Sequence, residues 1–87
     1  MNDFENIPPE RIKLAFGSTL KRLRLEKRLT DDKLAENSLC NNKYVNKLQK
    51  GLYMPSLFTM MKLADGLGIS ITEFIDHFEK DLKKDNA

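Results

Sequence analysis

The chain reads as an all-α protein, a compact bundle of five helices. Three observations predict this class. Apolar residues recur at three- and four-residue spacing through most of the length. Residues that start and stop helices stand at the ends of those stretches. The chain has 87 residues, enough for one domain with a modest core and too few for a deep cleft with a separate substrate domain. The domain is expected over residues 9–80, with a flexible N-terminal arm at 1–8 and a frayed charged tail at 81–87.

Pro8 and Pro9 suit a helix start, because proline has no N–H to lose at the first helical position, and Glu10 favours the positive end of the helix dipole. Ile12, Ala15, Phe16, Leu20 and Leu23 then form a stripe running toward Leu29. Gly17 and Ser18 leave open whether this is one long helix or two. Lys13, Lys21, Arg22, Lys27 and Arg28 lie on the other face, which reads as a solvated surface.

Thr30 is a good N-cap, and Asp31 and Asp32 follow where negative charge is favoured. A short second helix through Lys33, Leu34, Ala35 and Glu36 ends near Ser38, and Leu39 with Cys40 leaves room only for a tight turn before Asn41. Two helices of about eight residues joined this way form a helix-turn-helix, placed here at about residues 30–50. The third helix, Asn41 to Lys50, sets Val45 and Leu48 against the core and Asn42, Lys43, Asn46, Lys47 and Lys50 on its wet face. Those amides and ammonium groups suit DNA bases and phosphates; an ordinary solvated face is the other reading.

Gly51 reads as a C-cap. After a loop, Ser56 caps a fourth helix carrying Leu57, Met60, Met61, Leu63, Ala64 and Leu67, with both methionines expected as core filler and Gly66 and Gly68 closing it. Ser70 and Glu73 form an S-x-x-E capping box before a fifth helix with Ile71, Phe74, Ile75, Phe78 and Leu82 at helical spacing.

The formal charge is only +2, so net charge argues nothing about nucleic acid, but its distribution does. Between Asn37 and Ala64 there is no Asp or Glu, while Lys43, Lys47, Lys50 and Lys62 are present. Cys40 is the only cysteine, which excludes an internal disulfide and reads as a small buried apolar residue in a reducing compartment. No apolar run is long enough for a membrane span, and the first residues lack the pattern of a signal peptide, so a cytoplasmic protein is expected. His77 is the only histidine and reads as a helix-surface residue, with no metal site expected. No nucleophile, phosphate-loop or dinucleotide motif is present, and the paired Asp31 and Asp32 are explained by the helix dipole. No catalytic residue, cofactor or enzymatic activity is expected.

The ordered motifs L-x-x-L-R (Leu20 to Arg24), L-T-x-x-x-L-A (Leu29 to Ala35) and Y-V-x-K-L-x-K-G (Tyr44 to Gly51) continue through P-S-L (Pro55 to Leu57) and K-L-A-x-x-L-G-I-S (Lys62 to Ser70) to Glu73 and Phe74. Over about residues 16–76 the chain resembles the Cro and phage-repressor type of helix-turn-helix domain. The resemblance implies a lambda-repressor-like five-helix bundle whose third helix enters the major groove. Carried over by position, Asn42, Lys43, Asn46 and Lys47 would face base edges, and Asn41, Lys50, Gly51 and Tyr53 would lie near DNA phosphates. The implied function is a sequence-specific transcriptional regulator, a repressor by preference, acting on double-stranded DNA as a homodimer. The alternative is a protein-interaction module or antitoxin that keeps the fold with weakened DNA binding and takes a protein partner. Phe78 and Leu82 are expected to pack on Ile12 and Phe16 rather than on a second copy.

Three positions depart from the family pattern. Asp31 replaces a phosphate-contacting glutamine, and its carboxylate is expected to repel the DNA backbone. Leu39 replaces the turn glycine, where a left-handed backbone is costly for a branched side chain. Gln49 replaces a glutamate that pairs with the arginine matching Arg24, leaving a neutral acceptor.

Overall fold

The structure, a computed structural model, describes residues 6–84, so residues 1–5 of the arm expected at 1–8 and residues 85–87 of the tail expected at 81–87 lie outside the described residues. Five helices follow one another: α1 (Pro9–Glu26), α2 (Asp31–Ser38), α3 (Asn42–Gln49), α4 (Leu57–Leu67) and α5 (Ile71–Lys84). The long α1 packs on α3 and α5, α2 packs on α3 and α4, and α4 packs on α5. Phe16, Leu20, Leu34, Val45, Leu48, Leu63 and Phe74 are fully buried in one core contributed by all five helices. The Phe16 ring lies 5.3 Å from Phe74 and 6.2 Å from Phe78.

Local chemistry sets the boundaries. Pro9 occupies the first turn of α1. Side-chain oxygens cap three further helices: Thr30 Oγ1 accepts from the Lys33 N–H (3.0 Å), Asn41 Oδ1 from those of Lys43 and Tyr44 (2.8 and 3.4 Å), and Ser56 Oγ from Thr59 (3.1 Å). At α5 the Ser70 hydroxyl accepts from the Glu73 N–H at 3.0 Å, one half of the expected capping box.

Gly17 does not break α1; the helix is continuous through it. A Cβ at this position would stand 2.4 Å from the Leu48 carbonyl oxygen and 2.6 Å from that of Gln49. The missing side chain lets α1 lie directly against the C-terminus of α3.

Leu39 does adopt the left-handed conformation, with φ 54° and ψ 42°, and its side chain is 84 % exposed. The turn therefore keeps its shape despite a residue for which it costs about 1–2 kcal/mol. Hydrogen bonds from the Leu39 and Cys40 N–H groups to the carbonyls of Glu36 and Ala35 (3.2 and 2.9 Å) hold it. Cys40 is half-buried and packs against the core.

Four expectations need correction. Met60 packs against the core, but Met61 is 51 % and Leu57 64 % exposed, because α4 buries one stripe and these two lie on its outer side. Ile75 falls at the rim of the α5 stripe and is exposed for the same reason. Gly66 lies inside α4, its bare Cα against the Ser38 side chain of α2, while Gly68 alone supplies the left-handed cap (φ 78°). The chain does not fray from residue 81: α5 runs to Lys84, Leu82 is buried, and the Leu82 carbonyl accepts from Arg11 Nη2 at 2.9 Å. Leu82 and Phe78 thus pack within the chain.

Gly17→Ala weighs two known effects. Alanine favours a helix by about 1 kcal/mol over glycine, but the overlap with two backbone carbonyls costs about 1–3 kcal/mol. Thermal unfolding of Gly17→Ala is expected about 4 °C or more below the parent; a higher Tm would show that α1 and α3 separate freely.

Candidate nucleic-acid interface

The outer face of α3 is built by the same spacing that buries Val45 and Leu48. Asn42, Lys43, Asn46, Lys47 and Lys50 line one open groove whose opposite wall is formed by Asp31 and Asp32 at the start of α2. All four expected base readers therefore share one surface. Asn42, Lys43 and Lys47 are exposed and Asn46 is half-buried. Of the expected backbone-contacting residues, Asn41 and Lys50 stand at the two ends of α3, and Gly51 follows with φ 77° against Leu14. Tyr53 lies beyond it, its ring 5.9 Å from Tyr44 and also 5.9 Å from Lys47 Nζ. That aromatic face attracts the ammonium group of the exposed Lys47.

Among the described residues, Lys43, Lys47 and Lys50 form no ion pair with a carboxylate. The acidic groups of the groove are engaged elsewhere. Asp31 Oδ1 lies 2.9 Å from Arg24 Nε and accepts from Gln49 Nε2 at 2.9 Å, while Oδ2 accepts from Asn46 Nδ2 at 3.3 Å. Arg24 Nε also reaches Gln49 Oε1 at 2.9 Å, and its Nη1 donates to the Leu29 carbonyl at 2.7 Å. Gln49 thus supplies the neutral acceptor expected of it, and Asp31, from the neighbouring helix, supplies the charge. Asp32 accepts a short hydrogen bond from Asn42 Nδ2.

The Asp31 carboxyl is held below the usual carboxylate range. The Gln49 hydrogen bond contributes most, partial burial opposes it, and Asn46, Arg24 and Lys21 add to the lowering. Asp81 forms a second such centre between α1 and α5, accepting from Thr19 Oγ1 (2.6 Å) and Arg22 Nη2 (2.9 Å). Burial alone would push its carboxyl up, but the Thr19 and Arg22 hydrogen bonds, with the Arg22 charge, outweigh it and lower it. His77 Nδ1 lies 3.5 Å from Arg22 Nη2. No group of three or more His, Cys, Asp or Glu able to hold a metal occurs among the described residues, and no described helix is long and apolar enough to cross a membrane.

The helix-turn-helix family model matches residues 20–74, spanning α2, α3 and α4 with the C-terminal part of α1 and the start of α5. The chain belongs to the Cro-type helix-turn-helix family. It is 36 % identical over 59 residues to an uncharacterized HTH-type transcriptional regulator, y4dJ, of Sinorhizobium fredii, covering 68 % of this chain and 77 % of that one. It is 34 % identical over 71 residues to the control protein C.MunI of a Mycoplasma species, covering 80 % and 96 %. Among solved structures, the restriction-modification controller protein C.AhdI of Aeromonas hydrophila superposes with a TM-score of 0.68 at 34 % identity, over 71 % of this chain and 94 % of that one. The domain is thus a DNA-binding regulator of this family.

Sequence reasoning missed what Asp31 and Asp32 do. Both were read by their place at a helix start, and their partners Arg24, Asn42, Asn46 and Gln49 lie 7–18 residues away. The one available signal was the lost glutamate at position 49, which leaves Arg24 in need of a carboxylate.

For Asp31 the depressed folded-state value has a definite sign. Its contribution to stability is present above the unfolded-state value near pH 4 and is lost as pH falls through the lower folded value. Carbon-detected titration of the Asp31 carboxyl is expected to give a midpoint below that of a free aspartate, and Gln49→Ala is expected to raise it. An unshifted midpoint in the parent would show that the junction with Gln49 does not persist in solution.

Proposed function

We propose that this protein is a sequence-specific transcriptional regulator, a repressor by preference, that reads the major groove with α3. One observation carries the reading: α3 presents two amides and three lysines on a single open face, with its lysines free of carboxylates and the adjacent acids engaged by neighbouring side chains. Lysine donates to guanine O6 or N7 and asparagine pairs with adenine, so the face carries the groups that base edges require. In this reading Asn42, Lys43, Asn46 and Lys47 contact bases, and Asn41, Lys50, Gly51 and Tyr53 hold the phosphate backbone.

A domain of this size covers little DNA, and family geometry places half-sites about one helical turn apart, which supports action as a homodimer on a two-fold operator. The names of C.MunI and C.AhdI support a controlling role over other genes. The site of action in this reading is the cytoplasm.

Two substitutions separate the roles. Lys50→Ala is expected to weaken binding to all sequences alike and to lower the slope of log K against log salt by about one. Lys47→Ala is expected to cost about 1–3 kcal/mol of discrimination between the selected site and random DNA, about thirtyfold at the centre of that range. Mobility-shift assays on the fragment upstream of the protein's own gene and on genome fragments measure both. Failure of the parent to retard any fragment at low salt would overturn the reading.

A further inference from the structure

The groove places a carboxylate beside each of the two amides that face the DNA side of α3. Asn42 Nδ2 donates to Asp32, and Asn46 Nδ2 donates to Asp31 Oδ2 at 3.3 Å. A side-chain amide has one acceptor oxygen and two N–H donors, and a free one can turn over to present either end. A carboxylate only accepts. The amide nitrogen must therefore face it, and turning the amide over would set oxygen against oxygen and lose a charge-assisted bond. The Oδ1 of each asparagine is left without a protein partner among the described residues.

Major-groove edges differ in the group they offer to such an oxygen. Adenine N6 and cytosine N4 carry amino groups, whereas guanine O6 and thymine O4 are acceptors. An amide locked with its oxygen outward accepts from the first pair and opposes the second. The nearby carboxylates add the same sign of discrimination, since they attract amino hydrogens and repel keto oxygens.

We propose that Asp32 and Asp31 are specificity-determining positioning residues that fix Asn42 and Asn46 as hydrogen-bond acceptors, so that the operator bases facing them carry a major-groove amino group. The two acids divide the work differently. Asp31 is tied into the Arg24 and Gln49 junction and holds a half-buried amide, whereas Asp32 is exposed and has Asn42 as its side-chain partner. Asp32 is therefore the member that can be altered without disturbing the helix junction. The proposal rests on the reading of α3 as the base-contacting helix, and the two can fail separately.

The test is selection of binding sites from random duplexes with the full chain, carried out for the parent, Asn42→Ala, Asp32→Ala and Asp32→Asn. The base pair whose preference disappears in Asn42→Ala is the one that Asn42 reads. In the parent that pair is expected to present adenine or cytosine toward the protein. Replacing this base by N6-methyladenine or N4-methylcytosine, which keep the pair but put a methyl group in place of the groove-facing hydrogen, is expected to weaken binding about tenfold. Asp32→Ala, checked for folding by circular dichroism, is expected to admit guanine or thymine there and to lose most of the sensitivity to methylation. Asp32→Asn has an amide that can turn over to donate as well as accept, so it no longer fixes the Asn42 amide and is expected to relax the preference in the same direction as Asp32→Ala. A parental preference for a keto base at that pair, no response to the methylated base, or an Asp32→Ala variant with unchanged preference would each overturn the proposal. If the parent enriches no sequence at all, the DNA-reading assignment itself falls.

Discussion

The junction of Arg24, Asp31 and Gln49 is the contact on which the arrangement of the binding face depends. Arg24 comes from the end of α1, Asp31 from the start of α2 and Gln49 from the end of α3, so three helices meet at one guanidinium. Only 12 % of the Arg24 side chain is exposed, which makes a partner for its charge obligatory. The guanidinium also reaches the Leu29 carbonyl, fixing the connection between α1 and α2. Removing the carboxylate would leave a nearly buried cation with only neutral acceptors, the Gln49 amide and the Leu29 carbonyl. The same junction sets how far the start of α2 stands from α3, and hence the width of the groove between them.

Close backbone packing complements this polar contact. Gly17 admits the last carbonyls of α3 against α1, and Gly66 admits Ser38 of α2 against α4. Between α1 and α5, Thr19, Arg22 and Asp81 form a second polar contact. The helix-turn-helix is thus held on several sides by the rest of the bundle, while its outer face carries no restraint beyond the Tyr53 ring and the two aspartates.

Much of this was legible in the chain. Helical periodicity and caps located all five helices, because Thr30, Asn41, Ser56 and Ser70 act within three residues of themselves and need no knowledge of tertiary structure. Val45 and Leu48 were read as core, and the bundle puts them there with Leu34, Ala35, Leu63 and Ala64. Long-range consequences were not legible. The reason for a glycine at position 17 lies in the carbonyls of α3 that pack against it, and the order of residues 81–84 depends on contacts with Arg11, Thr19 and Arg22. Periodicity alone could not tell the half-buried Met60 from the exposed Met61, since adjacent residues differ by about 100° around a helix and the stripe edge falls between them. Spacing places the two amides and the lysines on the wet face of α3 and the resemblance gives them a base-reading role; neither shows that Asp31 and Asp32 bond to Asn46 and Asn42.

Asp31 carries the decisive question. Read alone, it sets a negative charge where a phosphate is expected; read with its partners, it is the counter-charge of Arg24 and the holder of Asn46. The affinity of Asp31→Asn for duplex DNA at low salt separates these readings. An opposing charge about 4 Å from a phosphate costs about 1 kcal/mol even in water, so its removal would strengthen binding roughly fivefold or more. The account predicts that Asp31→Asn binds no tighter than the parent, because the carboxylate is already neutralised within the fold. Tighter binding by fivefold or more would contradict it.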